Sequence, residues 1–451
     1  MKSSYDHSDT GNAELLNDLF GNDIRYDSVS QRWLQWKQGH RWYELEPSEQ
    51  VKLAIKTADY RIDLAKDSSL EATRAKAEFA FAIRSRDEYK IKAMLSLARH
   101  LPPIGNVGIQ WDSKHNYLAV ANGVVNLTTG NLRPGVRNDY ISQGIDLPYI
   151  SGTRAPVWEK FISDICCGDQ QLIEYLQRAI GYTLTGFTIE QVFFLLHGGG
   201  SNGKSVLTNI LGELLRGFAK TVRFSAFEES KNESSRRDLA DLPGVRAVFA
   251  SEGAAVRAID TTVIKDITGA TPITTRRLYS HPFTFTPRFK LWLTTNQLPK
   301  ISDDSLGFWR RVIIIPFNAT FEGINRDNYM QAKLESELPG ILAWAVAGAV
   351  RWNSEKLNTP NELLYLTKKY QRSEDIVEQF IDACCVRDEL VSARSGQLYE
   401  TYKSWAHESG LEIMSTTAFG RRMGAKFQRE HDNSGWYYLG IKPKNTNFSV
   451  L

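Results

Sequence analysis

The chain is short of most things that mark a secreted, membrane-bound or metal-templated protein. Its 451 residues include four cysteines, placed as the adjacent pairs Cys166-Cys167 and Cys384-Cys385. Neighbouring cysteines are poor disulfide partners, and no CxxC or Cys/His zinc spacing occurs. Both facts argue against a disulfide scaffold or a zinc module, and a reducing cytoplasm, bacterial or host, is the expectation. Met1–Asn12 is polar and lacks the apolar core of a signal peptide. The longest apolar run, near Leu338–Val350, is interrupted by Pro339 and Gly340 and is too short to span a membrane, so no membrane partner is expected. Surplus charge is missing too. Lys and Arg number 55 against 52 Asp and Glu, a net of +3, so the total does not call for nucleic acid and local basic clusters must carry that argument. What remains is ordinary globular composition, 42% hydrophobic and 24% charged, at a length that suits roughly two to four domains.

The most informative stretch is Leu195–Ile210, LLHGGGSNGKSVLTNI. Gly198, Gly203, Lys204 and Ser205 fit the P-loop spacing of two glycines four residues apart followed by Lys-Ser. Gln191–Leu196 is an apolar run of strand length, and Val206–Leu215 has apolar residues at helical spacing. A strand, a glycine loop and a helix start bring bare N–H groups and a helix N-terminus onto an anion. The loop Gly198, Gly200, Ser201, Asn202, Gly203, Lys204 and Ser205 is therefore the expected ATP-binding element. Lys204 would reach the β- and γ-phosphates and Ser205 would ligate Mg²⁺.

Upstream, Arg32–Leu45 carries two aromatic runs that suggest a hairpin. Trp33, Trp36, Trp42 and Tyr43 there either stack on bases or pack a small core. Pro47–Leu101 reads as several helices with charged outer faces. Asn116–Gly130 reads as a β-hairpin with Asn122-Gly123 at one turn, and Trp158–Thr185 as a helical lead-in to the P-loop strand.

Downstream, Arg246–Glu252 (RAVFASE) is an apolar strand ending in an acid, where a P-loop enzyme places the carboxylate that orients water and helps hold Mg²⁺. Glu252 stands without a second acid, so it works alone or through water; otherwise it is a surface residue. Arg288–Asn296 is a third strand whose polar end could let Asn296 sense the γ-phosphate, or could merely open a turn. Phe308–Phe317 (FWRRVIIIPF) reads as a fourth strand with Arg310-Arg311 at its entrance, suited to a finger reaching a neighbouring subunit's nucleotide or simply to solvating a strand end. Between the second and third strands, Lys265–His281 suggests a β-hairpin with Arg276, Arg277, Tyr279 and His281 near its tip, residue types suited to phosphate contact and base stacking. After Phe317 a helical stretch runs to about Asn353. The tail reads as helices Ile376–Val386, Ser395–Glu408 and Ser415–Gln428, the last with Arg421, Arg422 and Lys426, then an apparent strand at Gly435–Leu439. Three helices and a wing describe a winged helix, which binds either DNA or protein.

The order strand–GGGSNGKS–RAVFASE–KDITGATPITTRR–KLWLTTN–GFWRRVIIIPF resembles the superfamily 3 helicases, in particular the D5-like poxvirus and phage/plasmid primase-helicases of viruses and mobile genetic elements. The resemblance spans roughly Asn12 to the C-terminus and is strongest from Leu195 to Phe317. It implies an α/β fold of modified AAA+ type that assembles as a hexameric ring and translocates on single-stranded DNA. By position, Lys204 and Ser205 match the P-loop lysine and metal ligand, Glu252 the catalytic acid, Asn296 the sensor and Arg311, rather than Arg310, the finger acting in trans. Lys265 falls where relatives place a basic residue from the neighbouring subunit, and Arg276, Arg277 and Tyr279 on the central-channel hairpin. The chain departs from the pattern at Gly253-Ala254-Ala255, where relatives carry polar or acidic residues. It also leaves no room for the primase domain that often precedes the helicase, so the expectation is either a fragment of a longer protein or a separate primase.

The expected layout is a disordered polar tail at 1–12, a helical or mixed N-terminal domain at 13–155, an ATPase domain at 156–360 and a winged-helix-like domain at 361–451. The expected function is that of an ATP-dependent replicative DNA helicase acting on single-stranded or forked DNA. The second reading is an ATP-gated DNA-binding initiator that does not separate strands. A third, a phosphotransferase with no DNA role, leaves the hairpin, the finger and the tail unexplained.

Overall fold

A computed structural model describes residues 5–37, 40–66, 71–105, 108–229, 238–252, 258–276, 281–301, 303–323, 326–433 and 435–444. The apolar runs around the glycine loop become neighbours in one parallel sheet: β1 (Phe193–His197), β2 (Ala219–Thr221), β3 (Ala247–Ser251), β4 (Lys290–Thr295) and β5 (Val312–Pro316). Their order is β5-β1-β4-β3-β2, so the strand feeding the glycine loop is flanked by β4 and β5. The protein is mixed α/β.

A parallel sheet covered on both faces needs strands that are apolar at every position, and alternate side chains then serve opposite cores. Phe194, Leu196, Trp292, Ile313 and Ile315 enter one core; Phe193, Leu195, Leu291, Leu293, Val312 and Ile314 enter the other. The first is covered by α1 (Lys204–Leu215) and by helices Pro156–Ile165, Gln170–Leu184 and Leu338–Glu355. The second is covered by α2 (Thr261–Thr268) and by Phe224, Phe227 and Leu239 from the connecting segments. Phe193 and Phe194 are fully buried, back to back on the strand. Each such ring contributes about 1.5–3 kcal/mol by leaving water.

In the N-terminal region, helices Asp9–Phe20, Pro47–Ala65 and Glu88–Ala98 pack with a three-stranded antiparallel sheet, Ile24–Asp27, Arg32–Trp36 and Trp42–Glu44. The sheet decides between the two readings of the aromatic run. Trp33 and Trp42 are buried, and Trp42 packs edge-on against Trp36 and Trp111, with the Arg25 guanidinium 5.1 Å from its ring. They build a core. In the next hairpin Val120 faces Gly123, so the turn is Ala121-Asn122, one residue earlier than expected; the Asn122 amide ties it to the Tyr149 backbone through two 2.9 Å bonds. Leu118 and Val125 of this hairpin lie in the same core as Trp158, so residues on both sides of position 155 share it.

Three further expectations need correction. Phe308 and Trp309 lie on a short helix, Leu306–Trp309, started by the Ser305 hydroxyl accepting from Phe308 N; the strand begins only at Val312. After Phe317 the described residues form no α-helix until Met330–Ser336. In the tail, the helix expected to reach Val386 stops at Cys384, and Cys385–Arg394 is a strand. It pairs with Gly435–Pro443, which also pairs with Arg429–Asp432. That first strand escaped notice because it is polar and largely exposed, with only Cys385 and Ala393 buried. Helices Ser395–Glu408 and Thr416–Gly424 complete this unit, which has a core of its own. Among the described residues no helix is long and apolar enough to cross a membrane.

Candidate functional site

The C-terminal ends of β1, β3 and β4 converge, and the side chains singled out there are brought together. The loop after β1 is shaped by two glycines that nothing else can replace. At Gly198 a Cβ would fall 2.3 Å from Phe317 O; at Gly203 the backbone is left-handed (φ +90°) and a Cβ would lie 2.7 Å from Ile165 Cγ2. Gly199 and Gly200 border open space. Asn202 is buried, and its amide donates to Gly199 O (2.6 Å) and Phe317 O (3.2 Å), pinning the loop to the end of β5.

Lys204 opens α1 and folds back under the loop. Its ammonium donates to Gly198 O (2.7 Å), Gly199 O (2.9 Å), Asn202 Oδ1 (3.1 Å) and Asn296 Oδ1 (3.1 Å). All four acceptors are neutral. The cation is 4% exposed, and burial lowers its pKa, an effect that the nearby Glu252 opposes. A buried ammonium without a counter-ion is poorly compensated, and an arriving anion would relieve that.

Glu252 follows β3. Its carboxylate accepts from the Thr295 hydroxyl, from Asn296 N (2.5 Å) and weakly from Gln297 N (3.5 Å). The acid and the amide expected to sense phosphate are thus joined: Asn296 offers its N–H to Glu252 and its side-chain oxygen to Lys204. Thr295, fully buried at the end of β4, was not singled out from the sequence; a hydroxyl in the run Thr294-Thr295-Asn296 gave no reason to prefer it. His197 was missed as well. Its Nδ1 is buried without a partner among the described residues, and burial, then Lys204, lowers the pKa of its imidazole.

Lys204, Glu252, Thr295 and Asn296 line a cavity of about 930 Å³, whose far wall comes from Lys160, Phe161 and Asp164 on helix Pro156–Ile165 and from Thr320, Phe321, Arg326, Asp327, Asn328, Met330 and Gln331. An adjoining cavity of about 560 Å³ shares Ser205, Ser251, Thr294 and Gln331. No sequence signal tells which face of the preceding helix reaches the loop, so Lys160 and Asp164 could not have been named. Ser205 points into both cavities. Among the described residues no group of three or more His, Cys, Asp or Glu is placed to hold a metal. Ser205 and Glu252 both line the larger cavity and offer the one or two protein oxygens that a phosphate-bound Mg²⁺ would take.

Lys265 and Arg311 lie elsewhere. Lys265 sits on α2, not on a hairpin, paired with Asp303 and with Ser305 Oγ at 3.2 Å. Arg311 precedes β5, where its Nε donates to Thr268 Oγ1 (3.0 Å) and its guanidinium also reaches Gly307 O. In a parallel sheet the start of β5 and the end of β1 are opposite edges, roughly 17 Å apart for five residues at about 3.3 Å each. Neither side chain lines the 930 Å³ cavity. Arg310 donates to Gln191 Oε1 (2.5 Å).

The projecting hairpin is shorter than expected, Ile273–Thr275 against Phe283–Phe285. Arg276 and His281 are exposed beside it, whereas Arg277 and Tyr279 lie outside the described residues. On the C-terminal basic helix only Arg421 is exposed with no ion pair among the described residues. Arg422 Nε pairs with Asp304 (2.8 Å), and Lys426 pairs with Asp375 (2.7 Å) and Glu378 (2.8 Å). Phosphate contact by Arg422 or Lys426 would first have to break those pairs.

Sequence comparison covers the same three regions. Residues 13–167 match the "D5 N terminal like" family, 196–311 a family of unknown function, and 372–449 the "Poxvirus D5 protein-like" family. The chain therefore carries D5-like family regions on both sides of its glycine-loop segment. Its curated relatives are viral. A protein of Acanthamoeba polyphaga mimivirus named "Putative helicase" is 30% identical over 65% of this chain and 33% of its own length. Namesakes in Frog virus 3 and Invertebrate iridescent virus 6 are each 25% identical, over 52% and 51% of this chain and 26% and 25% of their own lengths. This D5-like chain thus spans a third or less of the curated relatives it matches. Among solved structures, the apo C-terminal region of NrS-1 shares the fold, with a TM-score of 0.52 at 9% identity over 96% of this chain and 99% of that one.

Proposed function

We propose that this D5-like chain is the ATP-hydrolysing motor of a replicative DNA helicase, a P-loop ATPase of modified AAA+ type working as a ring, most simply a hexamer, on single-stranded or forked DNA. The observation that carries the reading is Lys204, held by neutral oxygens at the edge of a cavity behind a glycine loop. ATP enters with its phosphates against the loop N–H groups and the α1 N-terminus. Lys204 then exchanges Gly198 O and Gly199 O for phosphate oxygens, which frees those carbonyls and draws Asn296 toward the γ-phosphate. Bound Mg²⁺, with Ser205 as its protein ligand, would neutralise charge on the phosphates. Glu252 leaves Thr295 and Asn296 N to orient water and take its proton. Arg311 lies at the far edge of the sheet and Lys265 outside the cavity, so they serve a neighbour's nucleotide rather than their own. Arg276 and His281 face the DNA in the ring's channel, a contact in which the resemblance also includes Arg277 and Tyr279, and the tail unit is read as winged-helix-like, with Arg421 its available cation.

The occupied state of Glu252 favours a second reading, an ATP-gated initiator that turns over slowly without separating strands. ATPase rate with and without DNA, measured beside strand displacement on a fork, separates the two: unwinding supports the motor, and DNA-dependent ATP binding without displacement supports the initiator. The ring is tested by mixing Lys204→Ala with Arg311→Ala chains during co-refolding. Two inactive proteins should recover part of their ATPase, because a finger in this chemistry is worth about 10³–10⁵ in rate. No recovery in verified mixed rings would return Arg311 to a structural role.

A further inference from the structure

The terminal hairpin sorts its side chains by face. Its register sets Arg429 opposite Tyr438, Glu430 opposite Tyr437, His431 opposite Trp436 and Asp432 opposite Gly435. Since side chains alternate along a strand, Arg429, His431, Trp436 and Tyr438 share one face, while Glu430, Asp432 and Tyr437 share the other. On the first face the Arg429 guanidinium lies 4.0 Å from the centre of the Trp436 ring, and the His431 ring meets that indole edge-on at 4.8 Å. Tyr438 is fully buried and donates its hydroxyl to Gly420 O (3.0 Å), which turns this face toward helix Thr416–Gly424 and its exposed Arg421.

Trp436 is 46% exposed although it is a large apolar ring, and all four residues of the strand Arg429–Asp432 are exposed. Packing therefore does not account for the indole. Arg429, like Arg421, has no ion pair among the described residues, in contrast to Arg422 and Lys426. A cation stacked on an exposed indole is the combination that holds unpaired bases: the ring offers a sequence-blind stacking surface and the guanidinium adds a charge for the neighbouring phosphate. The acidic opposite face repels a polyanion, which fixes the side on which a strand can lie.

We propose that the Arg429–Trp436 face binds single-stranded DNA, with one base stacked on Trp436 and the adjacent phosphate held by Arg429. The proposal rests on the DNA-handling part of the reading above and adds a contact distinct from the Arg276 hairpin. The test uses the full chain and two oligonucleotides of equal length, oligo(dT) and an abasic strand with the same phosphates. Trp436→Ala should weaken oligo(dT) binding by about five-fold or more, the loss of one stacked base, and leave abasic binding unchanged. Trp436→Phe should keep most of the affinity. Arg429→Gln should weaken both strands and reduce the salt slope by about 0.7. An unchanged melting temperature shows that Trp436→Ala folds. Equal losses on both strands, or none while oligo(dT) binds the wild type, would overturn the stacking site alone. Failure of the wild-type chain to bind either strand, with ATPase intact, would overturn the DNA reading and this site together.

Discussion

Two buried lysines sit at opposite edges of the same parallel sheet, and both are held by neutral oxygens, main-chain carbonyls among them. Lys204, after β1, donates to Gly198 O and Gly199 O; Lys290, at the start of β4, donates to Thr185 O, Phe187 O (3.3 Å) and Arg288 O (3.4 Å). Neither has a carboxylate partner among the described residues. What differs is the space beside them. Lys204 borders a cavity of about 930 Å³, whereas Lys290 is 1% exposed under the Tyr182 ring, 4.8 Å away, and lines no cavity described here. Their pKa values follow: burial lowers that of Lys204, and burial with Arg246 beside it lowers that of Lys290 well below the ordinary value. On the proposed function, the same kind of bonding is an exchangeable holding position at one edge and a staple at the other. The cavity, not the lysine, makes the difference.

The comparison breaks if the two lysines prove interchangeable, and the largest expected effect lies at Lys204. Lys204→Ala should lower ATPase by about 10²–10³ or more if phosphate stabilisation depends on this cation, with the fold intact because only neutral oxygens lose a donor beside an open cavity. Turnover of ATP at the wild-type rate would end the reading. Lys290→Met should do the reverse. The carbonyls of Thr185 and Phe187 lose their donor in a sealed setting, which costs about 1–3 kcal/mol in stability, while nucleotide binding persists. A variant that melts as the wild type does would show that the staple is idle.

Gly203→Ala sharpens the comparison at the loop. Left-handed backbone costs a non-glycine residue about 1–2 kcal/mol, and Ile165 blocks the added methyl. The free loop can relax, so nucleotide binding has to restore the strained form, giving affinity weaker by roughly 5–30-fold. Titration with a fluorescent ATP analogue checks this.

The smallest effect concerns His115, beside the Lys290 staple. Burial, then Arg288, Arg246 and Lys290, lowers its pKa from 6.5 to about 4. The unfolded chain takes up a proton near 6.5, and the folded chain refuses it until about 4. The folded state therefore loses stability as pH falls through that window. His115→Gln should flatten the decline of melting temperature between those pH values. An unchanged slope would place the imidazole in water.

Much of the glycine loop's shape was legible because its constraints are local. Glycine at 203 and lysine at 204 are adjacent, and the strand before them is an unbroken apolar run, the pattern a doubly covered parallel strand requires. The end of β3 was legible for the same reason. What could not be read depends on partners distant in sequence. Arg422 and Lys426 look like a basic face on a helix until Asp304, Asp375 and Glu378 fold against them. Glu252 looks solitary until β4 lies beside β3 and supplies Thr295 and Asn296. The strand Cys385–Arg394 carries no apolar alternation because most of it is exposed. The Arg429–Trp436 stack appears only once the register of a hairpin is known.

The most direct measurement is thermal unfolding with increasing MgATP for three proteins side by side. A ligand that binds only the folded state adds about 2.7 kcal/mol at a hundred times its Kd. The wild type should therefore melt progressively higher as MgATP rises. Lys290→Met should start lower and rise in parallel, and Lys204→Ala should start near the wild type and stay flat. A Lys204→Ala protein that rises with the wild type would mean that the cavity does not take nucleotide through this lysine, and the account of the site would be wrong.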